Sequence, residues 1–195
     1  MVAPTVAAED PDSVVFTLGH STRALDEFIA MLKAHSITRV VDVRTVPRSR
    51  HNPQFDRDAL LSALADEGIG YEHAPGLGGF RRTHEGSLNT GWRNLSFRGY
   101  ADYMQTPAFA EQLADLIARA RRERIAVMCA EAVPWRCHRS LIADALVVQG
   151  LPVEEVLSRA HSQIHRLTPF AVVRGTIITY PPETAPLPTS RKRPC

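Results

Sequence analysis

The sequence predicts a single α/β domain: a mostly parallel sheet with helices on both faces and a small C-terminal hairpin. Three observations predict it. Short apolar or β-branched runs alternate with longer segments whose apolar residues recur at helical spacing. The run at 38–43, TRVVDV, is nearly all apolar, as is a strand buried on both faces of a parallel sheet. The 195 residues, 44% hydrophobic and 23% charged, suffice for one large domain with a real core.

Residues 1–12 are small, acidic and proline-bearing and read as a flexible tail, so the domain is expected over 13–180. A first strand is expected at 14–18. Ser21 or Thr22 is then expected to cap a helix carrying Leu25, Phe28, Ile29 and Leu32 to about His35. The second strand, 38–43, runs into the loop RTVPRSRHNPQF at 44–55. Asp56 is expected to cap a helix carrying Leu60, Leu61 and Leu64 and ending near Gly68. A short third strand is expected at 71–74. The segment 75–99 is long and irregular, with glycine at 76, 78, 79, 86 and 91; such loops in a compact domain are functional or mobile. One helical turn is expected at 100–104. Thr106-Pro107, a cap followed by proline, starts a helix with Phe109, Leu113, Leu116 and Ile117 as its apolar stripe. A strand at 125–128 precedes a helix at 139–148 carrying Leu141, Ile142, Ala145 and Leu146. A further strand is expected at 152–157, and a hairpin from 171–173 and 177–180 around Arg174-Gly175-Thr176. Residues 181–195 hold five prolines and are basic, reading as a disordered tail.

The net charge of +2 does not by itself argue for a nucleic-acid or membrane partner. Only Lys33 and Lys192 among the 23 basic residues are lysines. Arginine is preferred for bidentate recognition of phosphate or carboxylate, and a G+C-rich gene would produce the same bias. Three cysteines, Cys129, Cys137 and Cys195, without a secretory signal favour free thiols in a reducing compartment. No apolar run reaches the roughly 18 residues a membrane span needs, and a cytoplasmic location is expected.

In a parallel sheet all strand carboxyl ends lie along one edge. His20 and Ser21 follow the first strand; Arg44, Arg48, Ser49 and Arg50 follow the second. The glycine-rich segment with Arg81-Arg82 follows the third, and Cys129, Glu131, Arg136, Cys137, His138 and Arg139 follow the fourth. These residues are therefore expected to converge on one crevice, the favoured ligand position in α/β proteins. The unpartnered N–H groups opening the last helix favour an anion there.

Five stretches carry a family resemblance: TLGHSTRALDEF at 17–28, VVDVRTVPRSRHNPQF at 40–55, GIGYEHAPGLGG at 68–79, YADYMQTPAFAEQL at 100–113 and VMCAEAVPWRCHRSLIADAL at 127–146. The chain resembles the domain-of-unknown-function family numbered 488, most specifically through Cys-Ala-Glu and Cys-His-Arg in the last stretch. The motif positions are Arg44, Pro47, Ser49, Cys129, Glu131, Cys137, His138 and Arg139. The resemblance implies a single α/β domain and names no reaction. His161 lies beyond the usual end of the family and reads as a surface residue.

The expected activity is that of an intracellular enzyme, a hydrolase or transferase, on a phosphate-bearing small molecule or nucleic acid. Glu131 and His138 are the acid–base candidates. His20, Ser21, Arg44, Arg48, Ser49, Arg50, Arg136, Arg139 and Tyr103 are the substrate-binding candidates. Arg44 grips an anion or pairs with Asp42 or Glu131. Arg139, at a helix start where the dipole repels a cation, needs either Glu131 or a bound anion. Trp92, Tyr100, Tyr103 and Trp135 would stack a base, or serve as lid and core. Two other classes compete. One is a non-catalytic nucleic-acid-binding module using the arginines of 44–50 and 81–82 together with the basic C-terminal tail. The other is a cysteine-dependent transferase with Cys137 as nucleophile, resembling rhodanese and cysteine phosphatases but with a longer loop that lacks their glycine. Cys129, ending an apolar strand, reads as space-filling. Cys129, Cys137 and His138 are a minority option for metal, since no close-spaced cysteine pair or fourth ligand is evident; no metal is assigned and no cofactor is required.

Overall fold

The computed structural model describes residues 13–182. The tail expected at 1–12, and all of the one expected at 181–195 except residues 181 and 182, lie outside the described residues. Six strands form one sheet: β1 (Val15–Gly19), β2 (Arg39–Asp42), β3 (Gly70–His73), β4 (Ile125–Cys129), β5 (Val153–Ser158) and β6 (His161–Ile164). Their order is β3-β2-β4-β1-β5-β6. Every neighbouring pair is parallel except β5 with β6. The hairpin is β7 (Val172–Arg174) with β8 (Ile177–Thr179). Five α-helices are described: α1 (Leu25–Ala34), α2 (Arg57–Asp66), α3 (Leu95–Tyr103), α4 (Pro107–Ala120) and α5 (Arg139–Val148). The chain is thus a single α/β domain. Among the described residues no helix is long and apolar enough to cross a membrane.

Strand periodicity sorts the core into two layers. Val40, Ala126 and Met128 pack with Phe28, Leu32, Leu60 and Leu64 of α1 and α2. Their neighbours Val41 and Val127 point the other way, toward Tyr100, Leu113, Leu116, Leu141 and Ile142 of α3, α4 and α5. Both faces of the central strands are therefore covered, which is why their sequence shows no alternation.

The structure corrects several local expectations. Neither Ser21 nor Thr22 caps α1; Ala24 occupies the cap position without a side-chain bond. Ser21 instead adopts a left-handed φ of 49°, and its N–H donates to the Ala130 carbonyl at 2.8 Å. Asp56 precedes α2, but its carboxylate accepts from the Ser49 N–H at 2.7 Å and so pins the 44–55 loop. The single turn expected at 100–104 belongs to the full helix α3, begun by Asn94 accepting from the Ser96 N–H. Gly99 lets α3 press against the chain at 81–83: an added Cβ would sit 2.6 Å from the Arg81 carbonyl oxygen. Strand β6 was not anticipated; it is an edge strand whose sequence HSQI is largely exposed and carries no apolar period.

Thr106 does cap α4 as expected, accepting from the Phe109 N–H at 3.3 Å with Pro107 opening the helix. Thr106→Ala is expected to lower stability by about 1 kcal/mol, read from the midpoint of urea unfolding.

A buried polar network ties the C-terminal segment to α5. The Asp144 carboxylate accepts from His165 Nε2 at 2.9 Å, from the Thr168 N–H at 3.0 Å and hydroxyl at 2.7 Å, and from the Tyr180 hydroxyl at 2.8 Å. The other His165 nitrogen, Nδ1, bonds Glu155 on β5 at 2.7 Å, and Gln163 donates to the same carboxylate. Burial alone would lower the His165 pKa, but the two carboxylates raise it to about 9, so the ring is a cation at neutral pH.

Candidate functional site

Strand order locates the crevice. From β2 the chain moves outward to β3; from β4 it moves the opposite way, past β1, to β5. The adjacent carboxyl ends of β2 and β4 are therefore a topological switch point, where open α/β sheets bind ligands. A cavity of about 370 Å³ opens there. Arg44, Thr45, Val46 and Arg48 line it from the end of β2. Gly79 and Phe80 contribute from the glycine-rich segment, and Ser96 and Phe97 from α3. Cys129, Ala130, Glu131, Arg136, Cys137 and His138 line it from the connection between β4 and α5.

Six expected site residues thus share one cavity: Arg44, Arg48, Glu131, Arg136, Cys137 and His138. His20, Ser21, Ser49, Arg50, Tyr103 and Arg139 do not line it. His20 is buried, stacked on Phe55 at 4.3 Å between ring centroids. Burial, with Arg44 nearby, lowers its pKa to about 4 against the opposing Ser21 hydrogen bond. The neutral ring can then donate from Nδ1 to the Ser21 carbonyl at 2.9 Å and accept from Arg44 at Nε2 at 3.2 Å. Ser49 accepts from the Asn52 N–H and holds a turn. Tyr103 donates to the Gly76 carbonyl at 2.7 Å, and the Arg81 guanidinium lies 3.7 Å from its ring centre.

The two arginines expected to grip an anion are largely committed to the protein. Arg44 meets Asp42 through Nε at 2.9 Å and Nη2 at 2.6 Å; Nη2 also donates to the Phe55 carbonyl. With Nη1 on His20, four of its five N–H donors have acceptors, leaving one for a ligand. Burial opposes its charge, but the Asp42 bonds outweigh that and raise its pKa. Tyr71 donates to the same Asp42 carboxylate at 2.8 Å. Arg139 is 1% exposed and makes no ion pair with the Glu131 carboxylate. Its guanidinium donates to the main-chain carbonyls of Glu131 and, at 2.8 Å, Ala132. It is a clamp on the site loop.

That loop also crosses β1 closely. An added Cβ on Gly19 would sit 1.7 Å from the Glu131 carbonyl oxygen and 2.9 Å from the Ala132 nitrogen. The His20 and Ser21 N–H groups donate to the Cys129 and Ala130 carbonyls at 3.0 and 2.8 Å, fastening the loop from the same side.

The cavity floor holds Cys129, Cys137 and His138. Both cysteines are free and buried. His138 Nδ1 lies 4.0 Å from Cys129 Sγ and 3.8 Å from Cys137 Sγ. Donation from the Cys129 thiol lowers the Cys137 pKa to about 7, and the Arg139 charge and backbone N–H act in the same sense against burial. The same bond, with burial, pushes the Cys129 thiol far up. The Glu131 side chain is exposed on the cavity wall and makes no ion pair among the described residues.

Of the two roles expected for the aromatics, Trp92 and Tyr100 take the core one. Trp92 packs against Phe97, Phe170 and Tyr180, and Tyr100 is fully buried with its hydroxyl on the Leu77 carbonyl. Trp135 is 68% exposed but lies outside this cavity. Phe80, not anticipated, is 83% exposed on its lip; its place after Gly78-Gly79 was the only available signal. A larger cavity of about 640 Å³ lies between Trp92, Trp135, Glu155 and His165. The charges of Glu155 and His165 are already paired with each other, so it is the weaker candidate.

Fold and site together define an α/β domain with a polar, thiol-bearing crevice at its switch point. The chain belongs to the family described as Domain of unknown function DUF488, whose model matches residues 24–146. No curated protein and no solved structure matches it significantly.

Proposed function

We propose that the domain is an enzyme acting on a phosphate-bearing substrate in the switch-point cavity. One observation carries this reading: Glu131, Arg48 and Arg136, unpaired with one another or with other described side chains, line the same cavity above His138. Arg48 and Arg136 offer planar donors to phosphate oxygens, and Arg44 has one N–H to add. Glu131 is the acid–base group, taking a proton from an attacking hydroxyl or water, or giving one to the leaving oxygen.

The test is turnover of phosphate esters, nucleotides and oligonucleotides by the full chain. Glu131→Gln should cut kcat by roughly a hundredfold or more with binding retained. Arg48→Ala with Arg136→Ala should weaken substrate binding with an unchanged unfolding midpoint. If neither variant alters binding or turnover, the reading fails. Steeply salt-dependent oligonucleotide binding without turnover would instead make this a nucleic-acid-binding module. The position of Cys137 at the head of α5 supports a second reading, cysteine-dependent group transfer, in which Cys137→Ser abolishes turnover and Glu131→Gln does not.

A further inference from the structure

We propose that Cys129, Cys137 and His138 form a three-ligand site for a zinc-class divalent ion, open toward the cavity. The two Sγ atoms and one imidazole nitrogen all lie within 4.8 Å of one another. Bonds of about 2.3 Å to sulfur and 2.0–2.1 Å to nitrogen at tetrahedral angles place S and N about 3.6 Å apart and the two S atoms about 3.8 Å apart. The His138 Nδ1 distances of 3.8 and 4.0 Å exceed the first of these by only a few tenths of an ångström. As N–H···S contacts they are long and weak.

The donors are carried by the end of one strand and the start of one helix. Cys129 ends β4, His138 occupies the cap position of α5, and Cys137 closes the short turn just before it. Packing sets the His138 ring: Tyr100 lies 5.0 Å away between centroids, and an added Cβ on Gly79 would sit 2.5 Å from Nδ1. Nδ1 therefore faces both sulfurs without a hydrogen bond to another residue. Two thiolates and an imidazole suit zinc better than magnesium or calcium, which prefer oxygen. Binding releases the thiol protons to solvent, and two thiolates balance the divalent charge. The fourth vertex meets the cavity bearing Glu131, Arg48 and Arg136, where water or a substrate oxygen would complete the shell. The site shares the cavity of the proposed reaction but does not depend on it, because its readout is occupancy.

The probe is Co²⁺ titrated into the full chain after chelation under reducing conditions. Expected are one equivalent bound, near-ultraviolet thiolate-to-cobalt charge transfer, strong visible bands of tetrahedral cobalt, and displacement by Zn²⁺. Cys129→Ser, Cys137→Ser and His138→Ala should each weaken binding by more than the roughly hundredfold that a lost outer-shell partner causes. X-ray absorption of the zinc-loaded unaltered chain should show two sulfurs and one nitrogen, a measurement no misfolded variant can confound. Absence of the thiolate band, zinc coordinated by oxygen and nitrogen alone, or affinity unchanged in Cys137→Ser would overturn the proposal. Occupancy without turnover would leave the metal site standing while the proposed reaction fails.

Discussion

Gly19→Ala is expected to destabilise the domain by about 3–5 kcal/mol and to dismantle the cavity. The new methyl group would sit 1.7 Å from the Glu131 carbonyl oxygen, and the obstructing atoms are all main chain, so no side-chain rotation relieves the overlap. Overpacking alone costs roughly 1–3 kcal/mol. Moving the loop also costs the Arg139 bonds to Glu131 and Ala132 and the Ser21 bond to Ala130, each worth about 0.5–1.5 kcal/mol or more where a buried charge is involved. Urea unfolding checks the stability, and cobalt binding checks the floor. A change below about 1 kcal/mol would show that the loop can retreat freely and that Arg139 is not its clamp.

His165→Ala is expected to cost about 3–5 kcal/mol, because it strands Asp144 and Glu155 without their cation. The same pairing fixes the pH dependence of stability. The folded-state pKa of His165, about 9, lies above its ordinary 6.5, so the folded state holds the proton more tightly. Its contribution is complete below about pH 6.5 and disappears as pH rises through 9, a loss of roughly 3 kcal/mol. Burial would raise the Glu155 pKa, but His165 and Gln163 hold it below its ordinary 4.5. That contribution is present above pH 4.5 and is lost as pH falls through the lower folded value. The unfolding midpoint should therefore decline between pH 6.5 and 9 in the wild type, and more shallowly in His165→Gln. Parallel curves would remove His165 from the account.

The sheet was legible because β1, β2 and β4 at its centre are mainly apolar runs next to turn residues, and convergence of the loops follows from parallelism alone. Parallel strand ends bring Arg44, Arg48, Glu131, Arg136, Cys137 and His138 to one cavity. Parallelism did not decide the work of the arginines. Asp42 was among the partners considered for Arg44, but the Phe55 carbonyl that completes its cage is eleven residues away in an irregular loop. The Arg139 acceptors are main-chain oxygens, and every residue has one, so no side-chain pattern marks them. Strand β6 escaped because an exposed edge strand needs no apolar period. The full extent of α3 escaped because Gly99 and the buried Asp102 disguise its inner face; Asp102 accepts from Ser87 and Asn89 to anchor the long segment before it.

The Asp144 network sets a boundary that the family match does not. The match ends at residue 146, yet Glu155, His165, Thr168 and Tyr180, which saturate the Asp144 carboxylate and its histidine, all lie beyond it. A chain trimmed to the shared segment would keep an acidic group in the middle of an apolar helix face with nothing to answer it. The network that closes over Asp144 therefore reaches 34 residues past the end of the matched segment, to Tyr180.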